Sequence, residues 1–256
     1  MMNHHTREKL IELRLPGMAA EFDRQIATPG MEDVPYEQRI SQLVDHEITL
    51  RSGKKTALMI KRAALPQSAS IEDVDYGSRR GLDKSSFLSL ASMDWVRRSH
   101  NIVITGPTGT GKSWLACALA LQACRQGLPS HFARVPLLME NLGLSRATGS
   151  FLSRLDQLQK FDLLVLDDLG ISALSQNAQS DLLEVIEKRV GNRSTIITSQ
   201  FPLKSWHELF DIKTVADAVM DRVIHSSHRL ELSGESLRKK SSPHSKPPTR
   251  KAEHSS

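Results

Sequence analysis

The chain is poor in the residues that mark several whole classes of protein. It has two cysteines, Cys117 and Cys124, in 256 residues, too few for a disulfide framework or a cysteine zinc site. Their spacing of seven puts them on one face of a helix, where buried, reduced thiols are expected. Aromatic residues are only 5%, and none interleaves with the basic clusters, which speaks against a surface that stacks single-stranded bases. No apolar run approaches the roughly 18 residues of a spanning helix. The longest, at 102–104 and 163–166, are strand-sized. Residues 1–14 lack the apolar stretch of a secretory leader, so no membrane contact and a cytoplasmic location are expected.

What charge there is lies unevenly. The chain carries a formal net charge of +5. The segment 238–256 holds six basic residues (Arg238, Lys239, Lys240, Lys246, Arg250, Lys251) against Glu253 alone, so the remainder is formally neutral. A basic tail on a balanced body fits either a nucleic-acid contact or a solubilising terminus. Within the body, Arg51–Arg62, Arg79-Arg80 and Arg97-Arg98 are further basic clusters that could meet phosphates or simply face water.

The first hundred residues read as helical and polar. Thr6 can cap a helix through Leu15, ended by Pro16-Gly17. A second helix spans 18–27, stopped by Pro29-Gly30. Asp33 and Pro35 then open a longer helix with a break expected at Ser52-Gly53. Residues 66–95, rich in Ser, Asp and Gly, read as a connector. From Asn101 the character changes. Strand-like runs at 101–105, 130–135, 161–167 and 194–199 alternate with helical stretches at 113–125, 135–159 (interrupted at Gly143 and Gly149) and 177–190. Alternation of this kind specifies an α/β architecture, a parallel sheet flanked by helices. The expected organisation is therefore a small all-helical N-terminal domain (1–65), a connector (66–95), an α/β domain (96–240) and a disordered basic tail (241–256).

The strongest motif is Gly106-Pro107-Thr108-Gly109-Thr110-Gly111-Lys112-Ser113, a full match to G-x-x-x-x-G-K-[ST], with an apolar strand before it and an apolar helix after. Glycines let the main chain wrap phosphate oxygens with its N–H groups, and the helix N-terminus favours anions. Lys112 supplies charge to the β- and γ-phosphates, and the Ser113 hydroxyl ligates Mg²⁺. Leu163-Leu164-Val165-Leu166-Asp167-Asp168 reads as a buried strand ending in carboxylates at the same sheet edge. Asp167 is placed to hold Mg²⁺, and Asp168 is the candidate to orient the attacking water or, alternatively, to cap a turn. Ser199 and Gln200, at the end of the 194–199 strand, are alternative groups to meet the γ-phosphate or the water. Arg222 fits an arginine given to a neighbouring subunit's nucleotide, and Arg238 an in-chain nucleotide sensor; surface ion pairing is the competing reading for both. His225 and His228 have no zinc-type companions nearby and read as structural.

Together, Gly106–Ser113 with Trp114-Leu115-Ala116, the Asp167-Asp168 strand end, Ile196–Gln200, the Gly234-Glu235-Ser236…Arg238 ending and the N-terminal Leu15-Pro16-Gly17-Met18 resemble the IstB-like family, up to about Lys240. These are ATP-binding helpers encoded beside a transposase in bacterial insertion sequences. The resemblance implies an AAA+ P-loop fold and an ATPase using ATP and Mg²⁺. It also implies ATP-dependent self-assembly as a homo-oligomer on duplex DNA, and recruitment or stimulation of the partner transposase. Two alternatives share the nucleotide residues: a replicative helicase loader acting on single strands, and a nucleotide-gated scaffold that hydrolyses nothing.

Overall fold

The computed structural model describes residues 2–77 and 80–237, and the chain divides into two compact units, residues 1–61 and 62–256.

The first unit is helical: α1 (Met2–Glu12), α2 (Pro16–Ala27) and α3 (Tyr36–Arg62), the last running one residue past the unit. A helix start leaves main-chain N–H groups without partners. At α2 the N-cap residue, Leu15, supplies no side-chain cap. Glu47 of α3 does so instead, its carboxylate accepting from Gly17 N at 2.6 Å and Met18 N at 3.1 Å, with Arg51 paired to it at 2.6 Å. This close approach explains Leu15-Pro16-Gly17-Met18. Pro16 is preset for the first helical turn, and a Cβ on Gly17 would stand 2.7 Å from Glu47 Cα. The break expected at Ser52-Gly53 does not occur; α3 is continuous over 27 residues. Gly53 lies in open space, and one interior glycine costs a helix only about 1 kcal/mol.

The second unit is a five-stranded, all-parallel sheet in the order β2-β3-β4-β1-β5. Its strands are β1 (Asn101–Thr105), β2 (Ser130–Arg134), β3 (Leu163–Leu169), β4 (Ser194–Ser199) and β5 (Ser227–Glu231). The helices are α4 (Lys84–Leu90), α5 (Asp94–Arg97), α6 (Lys112–Arg125), α7 (Val135–Ala147), α8 (Phe151–Gln159), α9 (Gln176–Glu187) and α10 (Lys213–Ile224). Strand residues alternate between two cores, as the two-residue period demands. Ile102, Ile104, Leu163, Val165 and Ile196 pack with Phe87, Trp95, Leu115 and Leu119. Val103, Leu164, Leu166 and Ile197 pack on the other face with Met139, Leu155, Leu182, Trp206 and Val219. Both cysteines lie on α6, free and buried, and burial pushes the Cys117 thiol up to about 12. No helix among the described residues is long and apolar enough to cross a membrane.

In this second unit three further features differ from the sequence expectation. Residues 66–95 are not a loose connector: Ile71, Val74, Phe87, Leu90, Met93 and Trp95 are all buried in the first core. They are scattered among Ser, Asp and Gly with no regular period, so no pattern announces them. Asp83 starts α4 there, accepting from Ser86 N at 2.7 Å. Strand β5 is the second difference. Its Ser-His-Arg-Leu-Glu sequence is polar because it is an edge strand, half-exposed beside β1. Third, Gly149 separates α7 from α8 whereas Gly143 sits inside α7.

If residues 84–96 belong to the core, Phe87→Ala should cost about 3–5 kcal/mol of unfolding free energy. A urea melt followed by circular dichroism reads this; a loss below about 1 kcal/mol would return the segment to the status of a linker.

Candidate functional site

In the parallel sheet β1 lies beside β4 and β4 beside β3, so three C-terminal strand ends meet. Thr105 pairs in register with Ser199, and Ser199 with Leu169. The loop 106–111 leaves β1 there and enters α6 at Lys112. Lys112 is buried, its Nζ donating to Gly106 O at 2.8 Å and Pro107 O at 3.0 Å. Thr110 Oγ1 braces the loop from inside by donating to Pro107 O at 2.9 Å. A cavity of about 320 Å³ opens over the loop, lined by Thr108, Gly109, Gly111, Lys112 and Ser113 together with Trp114, Asp168 and Gln200.

The two carboxylates at the end of β3 are adjacent in sequence, and in a regular strand would face opposite sides of the sheet. The β3–β4 register shifts between Leu166 and Leu169, and Asp168 adopts φ +64°, a left-handed conformation that Asp tolerates better than most residues. The irregularity turns Asp168 into the cavity while Asp167 stays buried. Burial pushes the Asp167 carboxyl up, against hydrogen bonds from Thr198 and Ser113 that pull it down. Asp168 is paired with Arg134, at the end of β2, at 3.0 Å.

Thr198 joins the pair. Its hydroxyl donates to Asp167 Oδ1 at 2.6 Å and accepts from Asp168 N at 3.0 Å. The next two residues are placed differently. Ser199 is fully buried, donating to Leu169 O at 2.8 Å and accepting from Phe201 N, and does not line the cavity. Gln200 does, with its Oε1 accepting from Thr108 Oγ1 at 2.8 Å.

The cavity has a further wall that sequence reasoning missed. Gln67, Asp73, Asp75 and Arg80 line it from the supposed connector, and Leu237 from the C-terminal segment. That segment lies against the loop: Leu232 N donates to Thr105 O at 2.7 Å, and Leu237 N to Gly109 O at 2.9 Å. Gly109 has φ +85°, and a Cβ there would stand 2.1 Å from Ser236 Oγ. Arg80, first read as part of a basic cluster for DNA or water, is buried and turned inward. Thr198 and Arg134 also went unrecognised. Their only signal is position, at strand ends flanking the Asp167-Asp168 pair.

Arg222 is not brought to this cavity. Its guanidinium pairs with Glu187 of α9 and donates to Ala218 O at 3.0 Å, because α10 packs along α9. Arg238 lies outside the described residues, next to Leu237, and so does Arg79. His225 pairs with Asp221 at 2.9 Å and His228 faces His100. Among the described residues no cluster of three or more His, Cys, Asp or Glu could hold a metal.

Sheet order, loop and strand-end carboxylates define a P-loop nucleotide-binding protein of the AAA+ class. A DnaI crystal structure matches this fold with a TM-score of 0.54 at 24% identity, over 64% of this chain and 90% of that one. The DnaC helicase loader matches at 0.52 and 20% identity, over 58% and 87%. The family model for IstB-like ATP-binding proteins matches residues 8–245, and the chain belongs to that family. A Sinorhizobium fredii protein named for an insertion sequence and for ATP binding is 44% identical over 239 residues, 93% of this chain and 98% of that one. A Pseudomonas fluorescens protein named in the same way, for the insertion sequence IS1162, is 46% identical, over 79% of this chain and 88% of that one.

Thr198 carries a testable consequence. Thr198→Val keeps the side-chain shape but leaves a buried carboxylate oxygen without its donor, a loss of about 1–3 kcal/mol. ATP turnover should fall roughly tenfold or more with little change in KM, and Thr198→Ser should restore most of it. Equal turnover by the valine variant would show that the hydroxyl plays no part in positioning the carboxylates.

Proposed function

We infer that this protein is a Mg²⁺-dependent ATPase that serves an insertion-sequence transposition system. In this reading it assembles with copies of itself on duplex DNA and recruits or stimulates the partner transposase there. The observation that carries the reading is the convergence of Lys112, Ser113, Asp167 and Asp168 on one sheet edge, in a chain whose family match extends over residues 8–245.

Each residue has a role in this reading. The glycine-rich loop, Gly106 to Gly111, presents main-chain N–H groups to phosphate oxygens at the start of α6. Lys112 places its charge at the β- and γ-phosphates. Ser113 and Asp167 offer the hard oxygen donors that suit Mg²⁺, whose bound charge would neutralise the phosphate oxygens. Asp168, once released by Arg134, orients and polarises the attacking water. Gln200, on the cavity wall beside Thr108, is favoured over Ser199 to meet the γ-phosphate or that water. Arg222 would leave Glu187 to reach a neighbouring subunit's nucleotide, and Arg238, next in sequence after Leu237, would be the in-chain sensor. Lys54, Lys55 and Lys61, exposed along α3, are suited to phosphate contacts, which makes DNA binding salt-dependent and weakly sequence-specific.

Steady-state ATP hydrolysis without DNA, with long duplex and with single strands tests the reading, each beside Lys112→Ala. Duplex should stimulate the wild type, and the variant should lose on the order of a hundredfold or more, as when a charge-stabilising group is removed from a reacting centre. Stimulation by single strands alone would instead favour a replicative loader. Turnover no higher than that of the Lys112 variant would leave a nucleotide-gated scaffold.

A further inference from the structure

Arg80 sits at an unusual junction. Arg80 is buried, at 3% exposure, yet among the described residues its guanidinium hydrogen-bonds only to main-chain carbonyls. One terminal nitrogen donates to Thr110 O in the phosphate loop at 3.2 Å, and the other to Asp75 O at 2.9 Å. Its Nε–H, buried, has no hydrogen-bond partner. Its own carbonyl accepts from Ser233 N at 2.9 Å, tying it to the C-terminal segment. A buried, ionised arginine normally meets a carboxylate, because an uncompensated charge in a low dielectric is costly. Burial pushes its basicity down here, and the charge of Asp75 offsets only part of that.

Arg80 also lines the nucleotide cavity, where Lys112 is the other basic residue and Asp73, Asp75 and Asp168 are the acids among the described lining residues. An anion in that cavity adds to the partial counter-charge that Asp75 supplies to the guanidinium. We propose that Arg80 is a second nucleotide-positioning cation, recognising the anionic phosphate chain of a nucleoside di- or triphosphate while holding the loop carbonyl of Thr110 in place. The inference rests on the nucleotide reading above and adds a residue to it. Because Arg80 also holds Ser233, it links occupancy of the cavity to the segment 232–237.

The test is calorimetric titration of the full chain with ADP, at low and at physiological salt, for wild type, Arg80→Met and Arg80→Lys. Removing the charge should weaken ADP binding about tenfold, the scale of one charge-assisted hydrogen bond, and should flatten its salt dependence. ATP KM should rise in parallel while kcat at saturation stays within about twofold, and Arg80→Lys should keep most of the affinity. An Arg80→Met protein with wild-type affinity overturns the proposal. Weaker binding with an unchanged salt dependence also overturns it, since that is the mark of a purely structural residue. Should the methionine variant fail to fold, the wild-type ¹⁵Nε resonance of Arg80, assigned by its absence in Arg80→Lys, gives the answer. It should shift on ADP addition, and an unmoved signal contradicts the proposal. A wild type that does not bind ADP overturns the nucleotide reading itself, whereas equal binding by wild type and Arg80→Met removes only Arg80.

Discussion

The parallel alignment of β1, β4 and β3 is the constraint on which the rest depends. Parallel strands must leave the sheet at the same edge, so the loop after β1, the carboxylates after β3 and the polar end of β4 meet without any long-range adjustment. Apolar residues on both faces of these strands hold the edge rigid. Rigidity matters because the polar contacts at the edge are short and buried. The Thr198 hydroxyl serves both Asp167 and the main chain of Asp168, and a shift of β4 against β3 would break both contacts together. The register irregularity at Asp168 turns that carboxylate into the cavity while Asp167 stays buried.

Around this edge the chain adds two layers from distant parts of its sequence. Arg80 and the segment 232–237 both reach the phosphate loop, and they meet each other where Arg80 O accepts from Ser233 N. The loop is therefore held from outside as well as by its own strand and helix. Gly109 is needed for contact as much as for conformation, since Ser236 occupies the space a side chain would take.

Much of this was legible in the sequence, for identifiable reasons. Strands β1, β3 and β4 carry short apolar runs bounded by polar turns, and the phosphate loop obeys a spacing set by main-chain chemistry. Edge strand β5 was not legible, because a half-exposed strand of Ser, His, Arg, Leu and Glu carries no apolar run. Residues 66–95 were misread because their buried side chains follow an irregular path and not a period. Arg80, inside that stretch, resembled any surface basic residue; only its burial against Thr110 distinguishes it. Thr198 lay beside the two residues that had been singled out, and the two-residue alternation of β4 identifies it only once the register with β3 is known.

If one nucleotide site is built jointly from the phosphate loop, the segment that carries Gln67 to Arg80 and residues 232–237, a bound nucleotide protects all three together. Hydrogen–deuterium exchange of the full chain, with and without a non-hydrolysable ATP analogue and Mg²⁺, tests it most directly. Simultaneous protection of 106–113, 67–80 and 232–237 is expected, with the main-chain amide of Leu237 among the most strongly slowed. Protection confined to 106–113, with the other two segments exchanging as before, would contradict it.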